Sequence, residues 1–464
     1  MFNKLVAKTL YTSAGVLAAA SLTLGLTAAT APVAHAESES DTPRNLIMVI
    51  GDGMGFPYLS AYRYFKDGRG MTDRADIERT VFDRYLVGAA STYPADERLV
   101  TDSAASATTL SSGVKTYNGA IGLDPDREPV EHMMQYANER NMLTGAIATT
   151  RVTHATPAGF FTHVESRRME AEIADQYASR DEDGNWRFDL LIGSGTRFFV
   201  RDADGDNEAV NHLDYFRDNG MRVAESMEDL KTQQRLPLIG LLHDDVFPYV
   251  IDDEKRLKTL TQEGLRLLEN ADQPYVLMIE AAMIDWCGHG NDIGCAMHEM
   301  AELDELLEFL IPYVEERGDT ALVITADHST GGLTLGADGQ YEFRTQEINR
   351  QGRALRTMAT ELMDMPWIDW EEYIETHLPF PLSTAQQEAI EKVADYEGDN
   401  HRNAINDVLR DILNYHTRAG WTTGGHTGED VPVLAAGPWA DYFRGAQDQS
   451  DIAHQFIEWI KAND

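Results

Sequence analysis

Short apolar runs alternate with longer polar or amphipathic segments along most of this 464-residue chain. Runs of this kind predict buried strands, and segments with apolar residues at helical spacing predict the helices between them. Such alternation is typical of a mostly parallel sheet covered by helices on both faces. The pattern therefore predicts an α/β fold, a three-layer sandwich, with strands at 45–50, 144–150, 189–194, 275–280, 321–326 and 431–436.

One region departs from this alternation, from about residue 340 to about residue 423. It contains helix-like segments ("ALRTMATELM", "TAQQEAIEKVADY", "RNAINDVLRDILNYH") without a convincing strand between them. We expect a crown-like helical insertion that caps the active edge of the sheet. An ordinary series of surface helices would give the same pattern.

The first 36 residues differ in composition from the rest of the chain. Lys4 and Lys8 precede an Ala-, Thr- and Gly-rich apolar run, and "VAHA" ends at Ala36 as a small-residue cleavage site would. These are the features of a secretory signal peptide. We expect a signal peptide over 1–36 cleaved after Ala36, a catalytic domain over 37–464, and a periplasmic or secreted protein. The alternative, a retained membrane anchor, fits the small-residue composition less well.

The charge balance is strongly acidic, with 77 Asp and Glu against 39 Lys and Arg and a formal net charge of -38. A polyanionic surface disfavours binding to nucleic acid or to an anionic membrane. It also destabilises the compact state unless salt screens the repulsion. We therefore favour adaptation to a salty exterior over an ordinary acidic secreted protein.

Cys287 and Cys295 are the two cysteines of the chain. In an exported protein they are free to form a disulfide, and two buried free thiols are an equal alternative.

Acids and histidines follow the predicted strands at the points where these strands end. Ligands of open α/β sheets bind outside the carboxyl ends of the strands. One acid at such a point is usually a helix cap or a turn residue, whereas several acids interleaved with histidines indicate a metal site. The residues concerned are Asp52, Glu280, Asp285, His289, Asp327, His328 and, just before the last strand, His426.

Ligand chemistry sorts these residues into three sites. Histidine with carboxylate, without thiolate, suits zinc with an open coordination position, and oxygen ligands suit Mg²⁺. Two zinc sites are predicted, one from Asp285, His289 and His426, the other from Asp52, Asp327 and His328. Glu280 and a hydroxyl such as that of Thr156 would form a magnesium site. Two metals about 4 Å apart hold the attacking and leaving oxygens of a phosphoryl transfer.

A candidate nucleophile, Ser103, lies in "LVTDSAASATTLSSG", which contains no histidine that could act as its base. A serine bound to zinc can lose its proton without such a base, because the metal stabilises the alkoxide. An arginine fork would hold two phosphate oxygens. The residues alone do not choose among Arg151, Arg167 and Arg168.

An ordered set of motifs closely resembles the alkaline phosphatases, which are zinc-dependent phosphomonoesterases. The motifs are "GDGMG", "VTDSAASAT", "GVKTYNGAIGLD", "HATPAGFFTHVESR", "IEAAMIDWCGH", "TADHSTGG" and "GHTGEDVPV", in that order. The match runs from about residue 45 to the last strand and is weakest over 340–423. The resemblance implies hydrolysis of phosphate monoesters and, commonly, a homodimer.

The resemblance also implies roles for individual residues. Ser103 would be the nucleophile that passes through a phosphoserine intermediate, Arg167 would bind phosphate, and Asp102 would orient Arg167. The first zinc would be held by Asp285, His289 and His426, and the second, which activates Ser103, by Asp52, Asp327 and His328. Asp52 would bridge to a magnesium site completed by Thr156 and Glu280.

Two positions depart from the best-known bacterial pattern of this family. His154 stands where that pattern has Asp, and Trp286 where it has Lys. Both flank the third metal and the phosphate, so the identity of the third ion and the strength of product binding are open. Loss of a cation near phosphate is expected to weaken product binding.

Other functions share part of this residue set. A two-zinc phosphodiesterase of the same superfamily would keep Ser103 and the zinc ligands but not the magnesium site. A formylglycine sulfatase would need a cysteine at the nucleophile position. A non-catalytic periplasmic zinc- or phosphate-binding protein would need a broken catalytic element, and the sequence shows none.

Overall fold

The structure is a computed structural model and describes residues 42–68, 77–181, 184–203, 208–396 and 398–463. Sixteen strands, most of them short, lie within these ranges. The expected signal peptide, residues 1–36, lies outside these ranges. The strands are β1 Asn45–Gly51, β2 Leu86–Ser91, β3 Leu143–Arg151, β4 Leu190–Ser194, β5 Val200–Arg201, β6 Val210–Asn211, β7 Arg222–Ala224, β8 Leu238–Leu241, β9 Tyr275–Ala281, β10 Thr320–Thr325, β11 Ser329–Thr330, β12 Thr334–Leu335, β13 Ala419–Gly420, β14 His426–Thr427, β15 Val431–Ala436 and β16 Gly445–Asp448.

Helices connect these strands. They are α1 Phe56–Asp67, α2 Val81–Tyr85, α3 Ser103–Ser112, α4 Met133–Glu139, α5 Ala155–Ala158, α6 Glu170–Tyr177, α7 Thr196–Phe199, α8 His212–Asp218, α9 Met227–Thr232, α10 Leu257–Asn270, α11 Met283–His289, α12 Ile293–Arg317, α13 Thr345–Ile348, α14 Leu355–Met363, α15 Trp370–His377, α16 Thr384–Ala394, α17 His401–Thr417 and α18 Gln449–Ala462.

A ten-stranded sheet forms the centre of the fold, in the order β16-β2-β15-β10-β1-β9-β3-β4-β8-β7. Every pairing is parallel except those of β15, which runs antiparallel to β10 and β2. The central strands β1, β9 and β10 are buried at every residue, as strands covered by helices on both faces must be. The predicted fold class, a mostly parallel sheet flanked by helices, is confirmed.

The six predicted strands all lie in this sheet, and four further strands of it were not predicted. The missed strands β2 and β16 belong to the outer part of the sheet and carry mostly half-buried or exposed residues. Strands β7 and β8, at the opposite end, contain only three and four residues. Short or exposed strands lack the long apolar run by which buried strands are recognised.

The region 340–423 contains the three expected helices, α14, α16 and α17, and two shorter helices that were not predicted, α13 and α15. It also contains the two-residue strand β13, which pairs with β12 and which the sequence pattern did not indicate. Among the described residues, no helix is both long enough and apolar enough to cross a membrane.

A disulfide joins Cys287 and Cys295, whose Cα atoms are 5.5 Å apart. The structure thereby decides between the two alternatives that the sequence left open. The bond connects α11, which follows β9, to the beginning of α12.

Candidate active site

Ser103 is the first residue of α3, and its side chain is buried. Asp102 caps this helix, because its Oδ1 accepts a hydrogen bond from the backbone N–H of Ala105 at 3.0 Å. The Ser103 Oγ lies 3.1 Å from Nε2 of His328. The amino end of a helix carries a partial positive charge, so negative charge that develops on or beside this hydroxyl is stabilised.

Asp102 also holds Arg167. Its Oδ2 accepts a hydrogen bond from Arg167 Nη1 at 3.2 Å, and its Oδ1 accepts a second backbone hydrogen bond, from Gly119 at 3.0 Å. The other terminal nitrogen of Arg167, Nη2, lies 3.0 Å from Nε2 of His154. Because a guanidinium only donates, His154 accepts here. Burial, followed by the charges of Arg167 and Arg151, lowers the pKa of His154 well below its usual value.

The three candidate arginines differ in their surroundings. Arg167 lines the same pocket as Ser103. Arg151 is instead paired with Glu170 at 2.8 Å and with Asp245 at 3.2 Å. Arg168 is exposed and does not line this pocket. Only Arg167 therefore faces the candidate nucleophile.

Asp285, His289 and His426 form the rim cluster, in which the two imidazoles point their Nε2 atoms at each other across 3.2 Å. Each Nδ1 lies at a backbone carbonyl, that of Gly424 at 2.7 Å for His289 and that of Thr101 at 2.9 Å for His426. A carbonyl only accepts, so the proton of each neutral ring is on Nδ1. Two Nε2 lone pairs thus converge beside a carboxylate, which is the arrangement of a cation site.

The two histidines of the rim cluster differ in their electrostatics. Burial alone would lower the pKa of His289, but the hydrogen bond and charge of Asp285 outweigh it and raise this pKa to about 9. For His426, burial and then the neighbouring His328 lower the pKa to about 4.

Asp52, Asp327 and His328 form the deep cluster, and all three side chains are fully buried. Asp52 directly follows β1, and Asp327 and His328 follow β10. The His328 Nε2 lies 3.1 Å from Asp327 Oδ2 and 3.6 Å from Asp52 Oδ1. Neither oxygen of Asp52 has a hydrogen-bond partner, and neither has Oδ2 of Asp327. Burial and then the charge of Asp327 raise the pKa of Asp52 well above its usual value.

Gly53 allows the deep cluster and the rim cluster to lie side by side. Its φ of +76° is in the left-handed region, and a Cβ at this position would lie 2.7 Å from the Cα of Asp285. The glycines of "GDGMG" are thereby explained in part, because a side chain at residue 53 would push the segment after β1 away from α11.

Asp52, His154 and Glu280 form the third cluster, beside which lies Thr156. Both oxygens of Glu280, the hydroxyl of Thr156 and Nδ1 of His154 are buried without a hydrogen-bond partner. Burial, opposed by the Thr156 hydroxyl, raises the pKa of Glu280 to about 8.

Unpartnered buried oxygens are rare in proteins because their desolvation is costly. In each of the three clusters the donor atoms lie within 4.8 Å of one another, so one divalent cation would satisfy them. Nitrogen and oxygen donors suit zinc in the rim and deep clusters. In the third cluster the oxygens of Asp52 and Glu280 suit a harder cation. His154 offers no free lone pair there, because its Nε2 accepts from Arg167 and its proton is therefore on Nδ1.

A pocket of about 400 Å³, the active-site pocket, lies beside Ser103 and the rim cluster and is lined by Ser103, His154, Arg167, Tyr249, Asp285, Trp286, His289, Arg356 and His426. Trp286 meets His154 edge-on at 6.2 Å, and the Arg151 guanidinium lies 5.8 Å from its ring centre. Tyr249 and Arg356 were not predicted from the sequence. An exposed arginine on an amphipathic helix such as α14 carries no signal that would have identified it.

Comparison with known proteins gives consistent results. The family model described as alkaline phosphatase matches residues 43–462. Alkaline phosphatase 3 of Bacillus subtilis (strain 168) is 36% identical over 431 residues, which cover 92% of this chain and 91% of that protein. The alkaline phosphatase of Schizosaccharomyces pombe is 32% identical and is matched over 81% of its length and 90% of this chain.

A solved structure is also similar. The cold-active alkaline phosphatase from the psychrophile Shewanella sp. superposes with a TM-score of 0.81 at 38% identity, over 90% of this chain and 99% of that one. The resemblance that the motifs indicated is therefore confirmed. The chain belongs to the alkaline phosphatase family of phosphomonoesterases.

Proposed function

We propose that this chain hydrolyses phosphate monoesters to an alcohol and inorganic phosphate through a phosphoserine intermediate on Ser103. One observation carries the proposal: the Ser103 hydroxyl lies at the amino end of α3, beside His328, in the pocket that Arg167 also lines. Ser103 Oγ forms a bond to phosphorus as the alcohol oxygen leaves, and water then cleaves the serine ester. Arg167, held by Asp102, binds the phosphoryl oxygens as a bidentate fork.

The clusters are proposed to hold two Zn²⁺ and one Mg²⁺. Asp285, His289 and His426 would hold the first zinc, and Asp52, Asp327 and His328 the second. When bound, such ions stabilise developing negative charge on oxygen and lower the pKa of a hydroxyl or water. Magnesium would be held by Asp52, Glu280 and Thr156, with His154 beside it. The unpartnered oxygens of Asp52 and Glu280 support this assignment.

The first experiment is the ratio of monoester to diester hydrolysis, with 4-nitrophenyl phosphate and bis(4-nitrophenyl) phosphate and with zinc and magnesium supplied. We expect a strong monoester preference. A diester preference would favour a two-zinc phosphodiesterase and would overturn the magnesium site. Absence of turnover with both substrates would favour a zinc- or phosphate-binding protein.

Replacement of the nucleophile tests the intermediate directly. We expect Ser103→Ala to lower kcat for the monoester by about a thousandfold or more, with unchanged zinc content. Ser383→Ala is the matched control, because Ser383 is an exposed cap of α16 and does not line the active-site pocket. Retention of wild-type kcat by Ser103→Ala would disprove the serine nucleophile.

We also propose the organisation expected from the sequence: a signal peptide over 1–36, a catalytic domain over 37–464 with an insertion at about 340–423, and a periplasmic or secreted homodimer. The composition of the leader supports export. The first residue of the mature protein, expected at 37, and the mass of the particle in solution test these points.

A further inference from the structure

A second cavity, of about 200 Å³, adjoins the active-site pocket. Four residues line both spaces: Tyr249, Trp286, His289 and Arg356. The two spaces therefore share part of their wall. The far side of the second cavity comes from α17, which contributes Arg402, Asn403, Asn406, Asp407 and Arg410.

Two arginines of this cavity are not neutralised within the described part of the chain. Arg356 on α14 and Arg402 on α17 are both exposed, and neither guanidinium has an ion pair or hydrogen bond with a described residue. Arg410, in the same cavity, is instead paired with Asp407 at 2.7 Å and with Asp411 at 3.2 Å. In a chain with 77 acidic and 39 basic residues, two such cations facing one cavity are unusual.

The acids that line the cavity offset this charge only in part. Asp292 is buried, and its carboxylate accepts hydrogen bonds from the backbone of Leu355 at 2.7 Å and of Cys295 at 3.1 Å and from Gln351 Nε2 at 2.8 Å. Burial raises the pKa of Asp292 to about 6. The other acid, Asp407, is paired with Arg410. Three arginines and two aspartates line the cavity, so these side chains leave one net positive charge beside the active-site pocket.

We propose that this cavity, the arginine subsite, binds a second anionic group, a carboxylate or a phosphate, in the alcohol part of a phosphate monoester whose phosphoryl group lies at Ser103. The inference rests on the proposed function and adds a preferred substrate class to it. Arginine matches the paired oxygens of both anions with two parallel hydrogen bonds. Trp286 and Tyr249, in the shared wall, are placed to contact the carbon skeleton between the two anionic groups.

The test compares kcat/KM for phenyl phosphate and for 4-carboxyphenyl phosphate in the wild type and in Arg356→Gln, Arg402→Gln and the double variant. The measured quantity is the change in the ratio of the two kcat/KM values from wild type to variant, so intrinsic differences between the two phenols cancel. We expect each single variant to lower the preference for the carboxylated substrate about three- to fivefold, and the double variant to lower it further. The effect should shrink in molar NaCl, because salt screens partly exposed charges.

Arg444→Gln is the matched control. It removes the same charge from an exposed arginine that lines neither cavity, and the ratio should not change. An unchanged ratio in the double variant would overturn the subsite while leaving the proposed function intact. An equal loss for both substrates would also overturn it, since the arginines would then act on the phosphoryl group alone. If the wild type hydrolyses neither substrate, the proposed function fails and the subsite fails with it.

Discussion

Two groups of buried carboxyl side chains in this molecule look alike in sequence and differ in what surrounds them. In the active site, both oxygens of Asp52 and both oxygens of Glu280 have no hydrogen-bond donor. On α12, the buried Glu299 accepts a hydrogen bond from the backbone N–H of Val250 at 2.7 Å.

Its neighbour Glu302 is bonded in the same way. One oxygen of Glu302 accepts from the backbone N–H of Arg256 at 2.5 Å and of Leu257 at 3.1 Å. These glutamates fasten the loop before α10 to α12. Burial of an acid is therefore not by itself a sign of function. What distinguishes Asp52 and Glu280 is that the fold supplies no donor for them, so that a cation is the partner that fits.

Between these two groups of carboxyl side chains, the largest difference in effect should come from removing one unpartnered carboxylate. We expect Asp52→Asn, which alters a residue of both the deep cluster and the third cluster, to lower kcat/KM for a phosphate monoester at least about a hundredfold and to reduce bound metal. Metal content by atomic absorption and kcat/KM on the same sample check this. Glu299→Gln, which keeps an acceptor oxygen for Val250, should keep both metal and activity. Full activity of Asp52→Asn would show that the deep cluster needs no cation.

The sign of the change in Tm should distinguish the active-site carboxylates from the carboxylates of α12. Without metal, Asp52 faces Asp327 and Glu280 with no donor, so Asp52→Asn should raise the Tm of chelator-treated protein at pH 9 by a few degrees. With zinc and magnesium present, the same change removes a ligand and should lower the Tm. Glu299→Gln should shift the Tm in one direction in both states. A shift of the same sign for Asp52→Asn with and without metal would contradict the cation sites.

The pH dependence of the free energy of unfolding should reveal the raised pKa of Glu299. Burial, and then the charge of Glu302, raises the pKa of Glu299 to about 8. Between the ordinary pKa and this value the folded state keeps a proton that the unfolded state has lost, so the free energy of unfolding falls as pH rises. Relative to the metal-loaded wild type, Glu299→Gln should be more stable by about 2 °C in Tm at pH 9 than at pH 5. A difference in Tm that does not vary with pH would disprove the raised pKa.

Exposed acids should show the smallest effect per residue, because water and salt screen them. The net charge of -38 nevertheless predicts that the Tm of the wild type rises with NaCl up to molar concentrations. Scanning calorimetry across NaCl concentrations measures this rise. A Tm that is flat from low to high salt would count against adaptation to a salty environment.

The sequence predicted the central strands because residues such as Leu46 to Ile50 are apolar without interruption, as burial on both faces requires. It did not predict β2, β7, β8 and β16, which are short or half exposed. It also left the direction of β15 undecided. Because β15 runs antiparallel, the chain that enters it lies at the edge where the parallel strands end, and His426 can therefore meet Asp285 and His289.

By itself, the sequence determined the fold class, the family and the residue types of the site, because strand ends are short, local and rich in acids, histidines and glycines. Only the tertiary structure decided that Cys287 and Cys295 are joined and that Arg356 reaches the active-site pocket. It also shows Arg167, which the family resemblance had implied, in the pocket that Ser103 lines. The physical reason is distance along the chain. Which donor a buried carboxylate lacks, and which arginine is left without an acid, depend on segments that only folding brings together.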